Sequence, residues 1–399
     1  MTRSKTALGE LFVVGSSKRV LKSQWKNDGV PFFRGREITR LANDGFVDNE
    51  LFISEELYAE YAEKYGVPKA DDIVITAIGT IGNSYIVKES DRFYFKDASV
   101  LWLKKKNTVS SNFINLWLKS PQFFDQLDTG NGATVDTLTI QKLQSVQVVL
   151  PSLPEQQRIV GILDEAFDGI ATAKTNAEQN LQNARALFES HLQSVFTQRG
   201  EGWVEKRLGE VYDVRDGTHD SPKYHATGYP LITSKNLKRE GLSFDDVSLI
   251  NEQDFTKINQ RSAVHKGDVL FAMIGTIGNP TLVTVEPNFA IKNVALFKIP
   301  QGQSGAFLKH YLASGLVISK MMQEAKGTTQ KFVGLGYLRD FPINVPPLAK
   351  QLEVVESLDE LSAETQRLES LYQRKLAALD ELKKSLLHRA FNGQLTIDN

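Results

Sequence analysis

The residues of this chain whose types suit chemistry are few and scattered. Six histidines are spread over 399 residues. The nearest pair, His219 and His225, lies in a stretch that reads as a loop, and reads as exposed polar residues rather than a metal site. Cysteine is absent, which excludes disulfides, thiolate metal sites and a cysteine nucleophile. Glu324-Ala325-Lys326 is an isolated fragment of a nuclease-like pattern and reads as the surface of a helix. There is no Gly-x-x-x-x-Gly-Lys-Ser/Thr phosphate loop, no His-Glu-x-x-His, and no Ser, His and Asp set.

Asn344-Val345-Pro346-Pro347 has the outline of the Asn-Pro-Pro-aromatic loop of amino-methyltransferases, but an inserted valine and a missing aromatic break it. The sequence IGTIGN, at Ile78–Asn83 and again at Ile274–Asn279, is the most conspicuous turn. Each copy follows an acidic residue and an apolar run, DDIVITA and GDVLFAM, so it reads as strand, glycine turn, strand. Its Gly-x-x-Gly spacing matches the loop of a KH domain, but that loop joins helices. A conformationally required hairpin turn is the stronger reading, with proximity to a nucleic-acid backbone the alternative.

The turn belongs to a duplication of the whole chain. LPSLPEQQRIVGILDE from Leu150 aligns with VPPLAKQLEVVESLDE from Val345, and SHLQSVF from Ser190 with SLLHRAF from Ser385. LGE recurs at Leu8 and Leu208, and FKDA around Lys96 is echoed by IKNV around Lys292. Matches in one order at nearly one offset define two similar units. Each begins with short β-like runs and ends in a long helix whose start is marked by proline, Pro151 and Pro154, then Pro346 and Pro347.

A three–four spacing gives each helix a heptad seam. The first is 163, 166, 170, 173, 177, 180, 184 and 187, rich in alanine; the second is 358, 361, 365, 368, 372, 375, 379, 382 and 386, bulkier in Leu and Tyr. Small facing large predicts that the helices interdigitate. Two similar units associate most readily about a two-fold axis. The expected fold is therefore α+β: two similar mixed heads joined by two long antiparallel coiled-coil helices with internal pseudo-two-fold symmetry. The expected boundaries are 1–150, 151–200, 201–345 and 346–399.

Composition, with 41% hydrophobic and 24% charged residues, reads as a soluble globular protein of two or more domains, and a net charge of −1 is less basic than is usual for a free-standing nucleic-acid binder. No apolar run of about 18 residues predicts a membrane span, and the N-terminus lacks the features of a signal peptide, so a cytoplasmic protein is expected. Basic charge is local: Ser16–Arg40 holds seven Lys or Arg against Asp28 and Glu37, and Lys104, Lys105 and Lys106 are contiguous.

The proline-led LPSLPEQQRIVGILDE, the helix ending SHLQSVF, and DGTHDSPKY, YPLITSKNL, GDVLFAMIGTIGN and FAIKNVALFK together resemble the specificity subunit of type I restriction-modification systems, over essentially the full chain. That resemblance implies two target-recognition domains, each reading one half of a bipartite double-stranded DNA sequence. It implies that the helices are spacer regions that set the distance between half-sites and dock modification subunits. Those partners would carry S-adenosylmethionine and methylate adenine, while restriction subunits would use ATP with magnesium. This chain would bind no cofactor and do no chemistry itself. The first head lacks DGTHDSP and ITSKN and has GVPFFRGREI at a similar place, so the two heads are expected to read different half-sites.

Residue chemistry nominates the contacts. Arg34 and Arg36, flanked by Phe32 and Phe33, suit bidentate contacts to guanine. Lys18, Arg19 and Lys22 suit phosphates. In the second head the candidates are Thr218, His219, Lys223, Tyr224, Ser234, Lys235, Asn236, Lys292 and Asn293, the last also able to serve as a structural hydrogen-bonder. The alternative function is a two-headed coiled-coil scaffold that binds protein partners rather than DNA; an enzyme with an unrecognised site is opposed by the lack of duplicated acids or nucleophiles.

Overall fold

In the computed structural model, which describes residues 4–106, 108–127, 137–198, 200–238, 240–328 and 330–395, the apolar runs before the two IGTIGN turns are strands buried on both faces. Ile73 and Ile75 point into one apolar cluster and Val74 into another. In the repeat, Val269 and Phe271 face one cluster and Leu270 and Ala272 the other. Covering both faces removes the usual polar alternation of a strand, which is why the runs are continuously apolar.

Each run is an inner strand of a four-stranded antiparallel sheet. The first sheet has the order Phe12–Gly15, Val100–Lys105, Ile73–Thr76, Ser84–Ile86; the second has Asp213–Asp216, Val294–Lys298, Val269–Ala272, Gly278–Leu282. A smaller sheet accompanies each. Val30–Phe33 lies between Phe52–Ile53, antiparallel, and Tyr94–Phe95, parallel. Tyr229–Ile232 lies likewise between Ser248–Ile250 and Ala290–Ile291. A two-stranded ribbon completes each head, Ser4–Ala7 with Gln147–Leu150 and Val204–Arg207 with Pro342–Val345.

The ribbons lead directly into the long helices, Leu153–Thr197 and Leu348–Phe391, of 45 and 44 residues. A buried glutamine fastens the start of each. Gln156 accepts from the Ser110 N–H at 2.9 Å and donates to the Pro151 carbonyl at 2.9 Å. Gln351 accepts from the Ser304 N–H and donates to the Pro346 carbonyl, both at 2.9 Å.

The chain divides into two compact units, residues 1–177 with 374–399, and residues 178–373. Each contains a head and a portion of both helices. In the first unit, Arg158 donates to the Leu395 carbonyl at 3.1 Å, Lys383 lies over the Phe167 ring, and Lys174 pairs with Asp380. Numbers rise along one helix as they fall along the other, so the pair is antiparallel. In the second unit Arg185 pairs with Glu369 at 3.1 Å.

The seam departs from a strict heptad. Positions 163, 166, 170, 173, 177 and 184 are at least half-buried, but Asn180 and Leu187 are exposed and Leu181 and Phe188 are turned inward instead. The same correction recurs in the second helix, where Leu376 replaces Lys375 and Leu382 is exposed. Two successive steps of four residues, 173–177–181 and 368–372–376, form a stutter. An unsupercoiled helix has about 3.6 residues per turn, so such a step keeps its stripe aligned where a 3.5 repeat drifts.

The glycines of the repeated turn are required by its backbone. Gly79 and Gly82 have φ of 79° and 94°, and a Cβ on Gly82 would lie 2.7 Å from the Phe124 ring. Asn83 then donates its amide to Thr39 Oγ1 at 3.0 Å, and in the repeat Asn279 donates to the Leu237 carbonyl at 3.1 Å. The hexapeptide thus ties the larger sheet of each head to the segment that follows the central strand of its smaller sheet. No helix among the described residues is long and apolar enough to cross a membrane.

Candidate nucleic-acid interface

In the first head, strand Val30–Phe33 ends at Arg34, which caps the helix Gly35–Asp44. Glu37, three residues on, is buried at 1% exposure and closes a capping box. The Arg34 guanidinium grips it with Nε at 3.1 Å and Nη2 at 2.8 Å, and Arg36 Nε adds a third contact at 2.9 Å. Burial alone would raise the Glu37 pKa, but these donors hold it at about 2. Arg34 therefore serves first as the counter-charge of a buried carboxylate. Arg36 is also held by Glu50 at 2.8 Å and keeps about half of its side chain exposed.

Phe32 and Phe33 are not surface stacking platforms. Both are buried, Phe32 with Val20, Val30, Ile53 and Tyr94, and Phe33 against Phe93 with ring centroids 4.8 Å apart. What the structure brings together is a cleft lined by Gly35, Arg36, Thr39, Arg40, Ile78, Thr80 and Ser99. It joins the start of the helix to the glycine turn. Lys18, Arg19 and Lys22 do not line it; they are exposed on a separate loop. Tyr94 anchors that loop, accepting from the Lys18 N–H at 2.9 Å and donating to its carbonyl at 3.2 Å.

The second head uses its loops differently. Thr218 bridges to Lys292, and Lys292 Nζ donates to Ser221 Oγ at 2.7 Å. His219 stands between two oxygens, Nδ1 at 2.8 Å from Asn293 Oδ1 and Nε2 at 2.8 Å from Asp216 Oδ2. Asn293, at φ 55°, thus does orient a neighbour. Lys223, Tyr224 and Lys235 are exposed, and Ser234 is half-buried on a short 3-10 turn. Asn236 is buried at 4% exposure. Its carbonyl accepts from the Thr233 N–H and hydroxyl, and its amide donates to the Ser243 carbonyl. It braces the loop and is not offered to a ligand.

Sequence reasoning missed Arg40, Thr80, Lys257 and Arg261, which line the clefts of the two heads. A signal existed. Arg36/Arg40 and Lys257/Arg261 are each four residues apart on one helix. Like charges at that spacing cost helix stability, so they ask for a reason. Among the described residues no group of three or more His, Asp or Glu is placed to hold a metal. Glu324 accepts from the Tyr337 hydroxyl at 2.7 Å, and Lys326 pairs through its backbone with Phe332, so that fragment is structural.

The hydrogen bonds to Asn293 and Asp216 raise the pKa of His219 above its ordinary value. A raised folded-state pKa stabilises the protonated form. Its contribution is complete below the unfolded value, about 6.5, and is lost as pH rises through the folded one. An NMR titration of the His219 ring is expected to show a midpoint above that of free histidine. Asp216→Asn should bring it back down; an unshifted wild-type midpoint would dismiss the network.

Two heads built alike each expose cations over a buried acid, Glu37 in the first and Asp216 in the second. The family described as Type I restriction modification DNA specificity domain matches this chain twice, at residues 4–182 and 200–376. The chain belongs to that family. It is 32% identical over 159 residues to a putative type I restriction enzyme specificity subunit of Haemophilus influenzae, covering 40% of this chain and 38% of that protein. It is 23% identical to the EcoBI specificity subunit of Escherichia coli, covering 67% of this chain and 62% of that one. The MjaIX specificity subunit of Methanocaldococcus jannaschii is 22% identical over 98% of this chain and 92% of its own. The fold is shared with the HsdS subunit from Thermoanaerobacter tengcongensis, with a TM-score of 0.64 at 18% identity, covering 98% and 97% of the two chains. It is also shared with a chain from a structural study of type I system assembly, with a TM-score of 0.78 at 18% identity over 98% of each chain.

Proposed function

We propose that this chain is the non-catalytic specificity subunit of a type I restriction-modification complex. Residues 1–150 and 201–345 act as target-recognition domains, each reading one half of a bipartite duplex sequence. Residues 151–200 and 346–399 act as the spacer helices on which modification subunits dock. Those partners supply S-adenosylmethionine and methylate adenine; restriction subunits supply ATP- and magnesium-dependent cleavage. The complex works in the cytoplasm, where its DNA is.

The observation that carries this reading is the specificity-domain match in both halves of the chain, on two heads whose folds repeat while their polar loops differ. The test is expression with modification subunits in a host free of other adenine methylation, followed by mapping of methylated adenines. A single bipartite motif is expected, and none from the chain alone. Methyl transfer by the purified chain, or methylation with no sequence preference, would overturn the assignment. A protein-binding scaffold would give no motif at all.

A further inference from the structure

We propose that Arg261 reads a guanine in the second half-site and that Asp216 is the positioning residue that aims it. The proposal rests on the DNA-reading function above. It begins from a buried acid. Asp216 closes the strand Asp213–Asp216, and its carboxylate has two cationic or protonatable partners, Arg261 Nη2 on Oδ1 and His219 Nε2 on Oδ2 at 2.8 Å. The acid is inside and its partners are outside: the Arg261 side chain is 65% exposed and that of His219 57%. Pairing therefore fixes the guanidinium without burying it.

The platform beneath is rigid. A Cβ on Gly217 would lie 2.2 Å from the Ile291 carbonyl, so the chain passes there with no room to shift. Arg215 donates to the Arg261 carbonyl at 3.1 Å and holds the end of the helix Glu252–Ser262. A guanidinium has five N–H donors in a planar fork, and one anchored by a carboxylate has less rotamer freedom to lose on binding. Its geometry matches guanine O6 and N7.

The surroundings favour a base edge over a phosphate. Arg261 lines a cleft with Thr218, Ser221 and Lys257, but also with Asp220 and Asp254. Two carboxylates beside the cations repel a phosphate. The first head lacks this pair at the matching positions, its own buried acid Glu37 lying on a different element. Counting from the repeated LGE, Ser16 stands where Asp216 does, and the matching helix Glu55–Tyr65 carries Lys64, which is paired with Glu60 at 2.9 Å. Only the second half-site should depend on it.

The test uses the full chain in complex with modification subunits and maps methylated adenines over all sequence variants. The wild-type complex should show a guanine–cytosine pair in the second half-site. Arg261→Ala should reduce discrimination at that one pair by about 10- to 100-fold, with the first half-site unchanged. Asp216→Asn should relax the same pair less. Arg261→Lys keeps the charge but not the fork, so it should relax that pair too. If Arg261→Ala gives no methylation, Arg261→Lys decides: relaxation at one pair supports the proposal, a wild-type pattern overturns it. Uniform loss across variants with rescue by lysine would make Arg261 a phosphate contact. A second half-site without guanine, or a changed first half-site, would also refute it. Absence of any bipartite motif from the wild-type complex would instead sink the underlying reading.

Discussion

Replacing residues 208–340 by the corresponding segment of a family member with another target is expected to change one half of the methylated sequence and leave the other half intact. The boundaries fall where the fold permits an exchange. Leu208 follows the ribbon strand Val204–Arg207, and Asp340 precedes its partner Pro342–Val345. The ribbon and both long helices stay native. The graft must retain the apolar face that meets them, chiefly Phe307, Leu308 and Tyr311, which cluster with Phe196, Val354 and Val355. The Tyr311 hydroxyl also donates to the Pro342 carbonyl. The polar loop residues of the second head lie inside the exchanged segment, including Asp216, His219, Arg261 and Lys292. Methylation mapping reads the result. If both half-sites change, or neither does, the heads are not independent readers.

Asp268→Ala is expected to destabilise the second unit far more than the loss of one surface charge would. Asp268 is the acid that precedes the second apolar run. It accepts from the His265 N–H at 2.7 Å and the Ile299 N–H at 3.2 Å, and pairs with Lys298, itself largely buried. Alanine leaves two backbone donors without a partner and a largely buried ammonium with no counter-charge, held only by the Ala263 carbonyl at 3.1 Å. Breaking a buried ion pair from one side costs about 3–5 kcal/mol, against a total stability of about 5–15 kcal/mol for a domain. Asp72 is its counterpart, accepting from Trp102 Nε1 at 2.9 Å and from the N–H groups of Lys69 and Lys105. It has no buried cation, so Asp72→Ala should cost less, about 1–3 kcal/mol. Hydrogen exchange localised to each unit separates the two effects. A second unit that keeps wild-type protection in Asp268→Ala would show that the acid is not what holds this corner.

Much of the architecture is legible before folding. Continuous apolar runs flanked by an acid and a glycine turn become doubly covered strands because their faces meet different clusters. Proline-led periodic stretches become helices because no competing signal interrupts them. The helix seam was legible in full up to the stutter and at Ala184, Leu379 and Leu386 beyond it, but not at positions 180, 187, 375 and 382. Leu181 and Phe188 displace Asn180 and Leu187 because the helix turns by 3.6 residues and not 3.5.

The candidate site divides in the same way. Residue order alone determined that this is a duplicated chain of two heads and two long helices, that its glycine turns recur for a backbone reason, and that its heads differ in the loops that carry cations. Local sequence also contains Arg34, Glu37 and Asn236, since a capping box spans only four residues. Burial decided their roles. An arginine beside a fully buried carboxylate must neutralise it, and an asparagine closed inside a loop must satisfy that loop. Of the second head's network the sequence offered His219, Lys292 and Asn293 singly, but not the pairings that join them. Asp216 meets Arg261 across 45 residues and His219 meets Asn293 across 74. Only sheet pairing, which sets Asp216 against Ala295 and so brings the 218 loop to Lys292 and Asn293, puts these groups within hydrogen-bond reach. Composition supplies the charges; the tertiary fold chooses which of them are spent inside and which remain for a partner.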